Sequence, residues 1–159
     1  MNDWPESVER VAAVLRAQGV DARLEEFEQP TSSAAAAAEA VGAEPAEIVK
    51  SLVFVCDGLP VLVLVPGDER AEAAKVAQAV GARYARMARA DEVVSATGFE
   101  PGAVAPFPAP NVSRILLDRT LLENEVVWIG AGSTSHVAGL SPHELLRVTE
   151  AQVADLVDA

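Results

Sequence analysis

The feature that most restricts the fold is a pair of apolar, β-branched runs, Leu52–Cys56 and Val61–Val65, set on either side of Asp57-Gly58-Leu59-Pro60. An Asp-Gly turn between two such runs is a strong short-range signal for a β-hairpin. Neither run alternates with polar residues, so both faces of both strands have to be covered, and the hairpin belongs in the middle of a sheet with helices packed on it. Half of the 159 residues are hydrophobic, enough for one core and well above the content of a disordered chain. The length sets an expectation of one domain over residues 1–159.

Around the hairpin the pattern changes period. Val11, Val14 and Leu15 with Gly19 beyond them predict an amphipathic helix over about residues 6–18, followed by a short strand near Arg23–Phe27. Thr31, Ser32 and Ser33 precede Ala34–Ala40 and Gly42, which reads as a capped helix. A helical turn is expected over Ala46–Lys50, a helix capped by Asp68 over Arg70–Val80, a strand at Arg83–Met87 and a short helix at Asp91–Thr97 ended by Gly98. Ile115–Leu117, Leu121–Leu122 and Val126–Ile129 read as strands. Ser141-Pro142 and Thr149 each read as the cap of a short helix. Strands and helices mix without strict alternation, which gives an α+β class with a mixed sheet.

Twenty-four acidic side chains against twelve basic ones give a formal charge of −12, which opposes attraction to phosphate backbones and anionic membranes and sets aside a general nucleic-acid coat protein. Cys56 is the sole cysteine, so an intramolecular disulfide and a Cys-cluster zinc site are excluded and a reducing, cytoplasmic setting is expected. Asp3, Glu6 and Glu9 lie where a secretory signal would be basic and then apolar. Asp57, Gly58 and Pro60 interrupt the longest apolar stretch, short of the about 18 to 20 residues of a membrane helix.

Candidate chemistry is sparse. Lys50 stands between Ile48-Val49 and Leu52 in a chain that otherwise uses arginine for its cations, with Lys75 the other exception; it is either an ordinary surface lysine or a compact ammonium wanted at that place. Gly130-Ala131-Gly132-Ser133 reads as a glycine turn after a strand, able to aim backbone N–H groups at a carbonyl or phosphate oxygen, or simply as a tight turn. It matches neither a dinucleotide fingerprint nor a Gly-x-Ser-x-Gly elbow. His136 lies just past it and His143 starts a helix; neither has a partner at zinc-ligand spacing. Cys56, inside an apolar strand, reads as a core residue rather than a nucleophile. Gly102-Ala-Val-Ala-Pro106 is a stiff apolar loop, a rigid connection or a pocket wall.

Taken together, Ile48-Val49-Lys50-Ser51-Leu52-Val53-Phe54, Val61–Gly67 with Asp68, Thr97-Gly98-Phe99 followed by Gly102-x-x-x-Pro106, then Asp118, Thr120-Leu121 and Gly130-Ala131-Gly132-Ser133 with His136 resemble the YbaK-type aminoacyl-tRNA deacylases in order and spacing. That family shares its domain with the editing insertion of bacterial prolyl-tRNA synthetases, and the resemblance runs from Thr31 to His136. It implies a strongly curved mixed sheet surrounded by helices. It also implies hydrolysis of the ester that joins a wrong, small amino acid (Ala, Cys, Ser or Thr) to the 3′-terminal adenosine of a tRNA, proline tRNA first.

On the same basis Lys50 anchors the terminal nucleotide or carbonyl, and Gly130, Gly132 and Ser133 surround the ester. Thr31, Ser51, Gly102, Val104 and Pro106 bind substrate, and His136 sits near its amine or side chain. No cofactor and no metal is implied. The implied partners are the aminoacyl-tRNA acceptor end and a prolyl-tRNA synthetase, with no DNA and no membrane. An activated ester needs only positioned water and oxyanion stabilisation, which accounts for the missing nucleophile. A non-catalytic module binding a nucleotide or small metabolite is the alternative. The acidity leaves few cations for tRNA: Lys50, Arg70 and Lys75, and the group Arg83, Arg86 and Arg89, which either meets phosphate or pairs with Asp91 and Glu92.

Overall fold

A computed structural model of the protein describes residues 4–31 and 33–158. The expected hairpin is its centre: β2 (Ile48–Cys56) and β3 (Leu59–Pro66) pair antiparallel with Cys56 opposite Leu59. The turn is two residues, Asp57 at φ 48° and Gly58 at φ 85°, and positive φ at both central positions makes it the I′ type whose twist suits a hairpin. Leu59 and Pro60, expected in the turn, are strand residues. The helical turn expected over 46–50 shrinks to a single 3₁₀ turn, Pro45–Glu47, held by Glu44 N–H on the Glu47 carboxylate at 2.8 Å and Glu47 N–H on the main-chain oxygen of Glu44 at 2.9 Å. The β-branched pair Ile48-Val49 is then drawn into the sheet, so Lys50 is the third residue of β2.

Outside the hairpin the sheet is built from β1 (Arg23–Glu26), β4 (Ala85–Met87), β5 (Arg114–Asp118), β6 (Val127–Ser133), β7 (His136–Leu140) and β8 (Gln152–Ala154). The order is β1-β7-β6-β2-β3-β5-β8, with β4 on β2 as well. The β2–β6, β3–β5 and β5–β8 pairs are parallel and the rest antiparallel, so the mixed α+β sheet is as expected.

Both faces are covered. On one, Val53, Leu62, Leu64, Leu117, Ile129 and Ala138 pack against α1 (Glu6–Ala17), α4 (Ala90–Thr97), α5 (Pro142–Thr149) and the segment carrying Phe99, Ala105 and Phe107. On the other, Phe54, Val61, Val63 and Val65 meet α3 (Ala73–Val80), while Ile48, Trp128 and Val137 meet α2 (Ala34–Val41). Ser33 caps α2 by accepting from Ala36 N–H, and Gly42, Gly81 and Gly98 end three helices in the left-handed region. Among the described residues no helix is long and apolar enough to cross a membrane.

Five further expectations change. Asp68 caps nothing: α3 starts at Ala73, because 69–72 is held extended by the C-terminal segment, with Glu72 N–H on Leu156 O and Ala71 bridged to Val157. Leu121–Leu122 belong to a 3₁₀ turn, Arg119–Glu123, because Asp118 caps it and turns Leu121 into the core. The Gly130–Ser133 stretch is strand, not turn, and reverses at Thr134-Ser135 into β7, a strand the sequence reading did not contain. Thr149 closes α5 by donating to Leu145 O, and β8 replaces the helix expected after it. The strand at 83–87 is shortened to β4 because Arg83 and Tyr84 give their N–H groups to the Asp57 carboxylate.

Asp118 is the polar pivot of this arrangement. Fully buried, it accepts from Thr120 N–H at 3.1 Å, from the Thr120 hydroxyl, and from Leu156 N–H at 2.9 Å. Replacing Asp118 with Ala strands a buried donor and unties the C-terminal segment, and the expected loss is about 2 to 3 kcal/mol in urea denaturation. A loss below about 0.5 kcal/mol would show that the segment is held by its apolar contacts alone.

Candidate functional site

The edge of β2 that faces away from β3 is shared by two strands. Ile48 and Val49 pair with β6, Phe54 to Cys56 pair with β4, and Ala88 N–H reaches Val53 O at 3.0 Å. Residues 50–52 lie between these neighbours and pair with neither. Lys50 begins this stretch, half-buried and on the face of Leu52 and Val65, with its ammonium donating to the main-chain oxygen of Glu69. Gly130 follows Ile129, the register partner of Val49, so it stands next to Lys50 on the neighbouring strand. A Cβ at Gly130 would lie 3.0 Å from Val104 O, and glycine is what lets the 102–106 loop come this close. Buried Ala105, Pro106 and Phe107 anchor that loop, and Gly102 at φ 85° turns it where Ala103 N–H bonds Glu100 O. Gly130 and Val104 are therefore brought together where the pairing of β2 with β6 ends, one residue from Val49.

The remaining expected residues form a second group at the β6–β7 turn. Ser133 Oγ lies 2.6 Å from His136 Nδ1 and accepts Ser135 N–H at 3.0 Å. His136 is 4% exposed, stands edge-on to Trp4, and has its Nε2 without a hydrogen-bond partner, 3.9 Å from the Glu26 carboxylate. Thr31 donates its N–H to Thr134 O at 2.9 Å and so ties the approach to α2 onto this turn. His136 shares its face with Ala138 and Leu140, whereas Lys50 shares the other face with Val65, so by register the two groups lie on opposite sides of the sheet. A register shift between Gly130 and Ser133 separates them along β6. Gly132 has a packing reason to be glycine: at φ 100° its Cβ would come within 2.4 Å of Ser7 O, where α1 crosses the strand.

Glu69, Glu26 and Trp4 were not singled out in the sequence, because each reaches its partner through long-range contacts that no local pattern announces. His143 serves α5, its N–H on the capping Ser141 hydroxyl, and lines a separate cavity of about 1110 Å³ with Arg23, Trp128 and Arg147. None of the residues assigned to substrate lines that cavity. Among the described residues no group of three metal-ligating side chains occurs.

Most of the cations are engaged. Arg86 grips Glu92 through two bonds of 2.8 and 2.9 Å, Arg89 N–H donates to the same carboxylate at 2.8 Å, and these hold the Glu92 carboxyl down to about 2. Lys75 pairs with Asp155 and Val157 O. Burial and the neighbouring Asp57 charge push the Cys56 thiol up, which leaves it a core side chain rather than a nucleophile.

Comparison with known proteins agrees on one group. Residues 28–148 match the family model of the aminoacyl-tRNA editing domain. The chain is 37% identical over 89 residues to the proline--tRNA ligase of Lactobacillus johnsonii, a stretch that is 56% of this chain and 16% of that protein. It is 35% identical to the uncharacterized protein YwhH of Bacillus subtilis over 121 residues, 76% of each. A crystal structure of a candidate trans-editing enzyme for prolyl tRNA synthetase superposes with a TM-score of 0.91 at 37% identity, covering 99% of this chain and all of that one. The chain thus spans a small part of the ligase it matches and the whole of the candidate trans-editing structure.

The three site glycines should respond differently to alanine. Gly132→Ala meets backbone of α1 and strains a left-handed φ, and is expected to cost at least about 2 kcal/mol in chemical denaturation. Gly102→Ala has open space and pays only for its positive φ, about 1 kcal/mol. Gly130→Ala displaces the Val104 carbonyl by a few tenths of an ångström and should stay within about 1 kcal/mol of the parent. Equal losses at 132 and 102 would remove the packing account of Gly132.

Proposed function

Because the chain belongs to the aminoacyl-tRNA editing domain family, we propose that it is a deacylase that hydrolyses the ester of a mischarged small amino acid on tRNA, proline tRNA first, acting in trans to a synthetase. The observation that carries this reading is the half-buried Lys50 ammonium, held by the main-chain oxygen of Glu69 on the stretch of β2 that pairs with neither β6 nor β4. A fixed cation suits an oxygen that gains negative charge. Its bond to the Glu69 main-chain oxygen holds it there without neutralising it.

In the proposed reaction a water oxygen bonds to the ester carbonyl carbon while Lys50 stabilises the oxyanion. The bond from that carbon to the ribose 3′-oxygen then breaks, and the proton released by water passes to that oxygen, with the neighbouring ribose hydroxyl as the relay. No acyl-enzyme is needed, in keeping with the buried Cys56. Ser51 follows Lys50 on β2, and Val104 and Pro106 form the wall that limits the amino-acid side chain to the size of Ala, Ser, Cys or Thr. Thr31, Ser133 and His136 hold the β6–β7 turn and the approach to α2, and Gly132 seats α1 against β6.

The test is a panel of proline tRNA charged separately with Ala, Cys, Ser, Thr and Pro. The parent is expected to clear one or more of the small amino acids and to spare Pro. Lys50→Ala should fold normally and lose about 10²- to 10³-fold in rate, the scale seen when one oxyanion donor is removed. Full activity in the folded variant would overturn the role of Lys50. Turnover of none by the parent, with nucleotide binding kept, would give the binding-module reading instead. Val104→Ala should raise the rate on Thr relative to Ala, by up to the ~1 to 3 kcal/mol that one methylene is worth to a pocket.

A further inference from the structure

The main chain that holds the Lys50 ammonium is itself held by a residue the reaction does not use. β3 ends at Pro66, and Gly67 carries its ladder one residue further by donating its N–H to Ile48 O at 2.7 Å. Glu69 N–H then returns to Pro66 O at 3.1 Å, which closes a four-residue turn, Pro66-Gly67-Asp68-Glu69. The last carbonyl of that turn accepts from Lys50, whose register partner in the ladder is Val65. Where the turn sits therefore decides where the ammonium is held.

Gly67 sets the turn by what it lacks. Its φ is not positive, so backbone conformation does not demand glycine there. Space does: a Cβ at this position would stand 2.6 Å from the Ala34 Cβ, 2.6 Å from Pro45 O and 3.2 Å from the Ile48 Cβ. These atoms belong to the first residue of α2, to the 3₁₀ turn and to β2, and none is the far end of a side chain that could rotate away. By strand alternation the missing side chain would lie on the face of Val65 and Lys50, against which α2 and α3 pack. Close packing passes such a clash on rather than absorbing it. An added methyl group is met by a shift of the 66–69 turn, and Glu69 O shifts with it.

We propose that Gly67 is a positioning residue for Lys50: its missing side chain seats the 66–69 turn against α2 and the 3₁₀ turn, so that Glu69 O holds the ammonium in place. The inference rests on the deacylase reading, in which that ammonium meets the developing oxyanion, and adds to it a residue with no side chain to offer the substrate. Oxyanion stabilisation depends on a group fixed in advance, and a displacement of about 1 Å that starts away from the chemistry can cost about 10²-fold in rate. Because substrate binding does not depend on that fine placement, the loss falls on kcat more than on KM.

Lys50 and Lys75 are the two lysines of the chain, so one labelled digest reads both. Brief acetic anhydride treatment and mass spectrometry give the labelling rate of Lys50 relative to Lys75, which is held by Asp155 and Val157 O. Gly67→Ala is expected to raise that ratio at least about threefold. On proline tRNA charged with Ala it should lower kcat at least about tenfold and leave KM within about threefold of the parent. Gly132→Ala strains β6 against α1 and leaves the 66–69 turn alone, so it should keep the parent ratio. An equal rise in both variants overturns the proposal, since general loosening then accounts for it. Parent labelling in a folded Gly67→Ala protein, or raised labelling with parent kcat, overturns it as well. Should Gly67→Ala not fold, Ala34→Val presses on the same turn from α2 with Gly67 in place; a raised ratio there supports the proposal and an unchanged one overturns it. Labelling needs no turnover, so a parent that clears no aminoacyl-tRNA ends the deacylase reading while the Lys50 ratio still decides whether Gly67 holds the lysine.

Discussion

The hydrogen-bonded pairing of Cys56 with Leu59, enforced by positive φ at Asp57 and Gly58, sets the parity of the whole central ladder. Side chains on β2 alternate with a period of two, so a slip of one residue would turn Lys50 and Phe54 to the face that now holds Val49 and Val53. That face is the dry core formed with α1, α5 and the 99–107 segment, where an unpaired ammonium would be costly. The same parity decides which main-chain groups of β2 look toward β6 and β4. One short turn therefore fixes both where the only lysine of the strand points and which edge of β2 each main-chain group faces.

The pairing of β2 then lapses for a reason of strand length rather than of special sequence. Parallel pairing with β6 ends at Val49, and antiparallel pairing with β4 begins at Phe54. Into the neighbourhood of the gap comes the 102–106 loop, admitted by the missing side chain of Gly130 and braced by buried Ala105, Pro106 and Phe107. Gly132, two residues on, answers to a different neighbour, the first turn of α1. Two glycines that look alike in the sequence thus do unlike work, one for the 102–106 loop and one for helix packing.

Much of the architecture was legible because its signals are local. The I′ hairpin, the serine cap at Ser33, the Ser141-Pro142 start of α5 and the glycine stops at 42, 81 and 98 all follow from the preferences of a few adjacent residues. The misses are where a distant partner decides. His136–Leu140 contains Ala138 and Gly139, poor strand formers, and becomes β7 only because β1 and β6 flank it and the Trp128 ring occupies the space over Gly139. The first turn expected in α3 stays extended because the C-terminal segment bonds to it. In the site, the sequence named Lys50, Gly130, Val104, Ser133 and His136, but not their separation into two groups. That separation depends on the irregularity in β6 and on strand parity, which a motif does not encode.

Charge completes the argument. Among the basic residues the sequence offered for tRNA, Arg86 and Arg89 are committed to Glu92 and Asp91, and Lys75 to Asp155. The Arg86–Glu92 contact is exposed, so it restrains β4 against α4 more than it stabilises the fold. What it changes is the surface potential beside β4, since a paired arginine attracts phosphate weakly. Under the proposed reading, a protein of net charge −12 takes a nucleic acid end through few cations, Lys50 among them, and through shape. Lys50 suits that reading where it stands: it is held by a neutral carbonyl instead of a carboxylate, so its full charge remains available to the substrate.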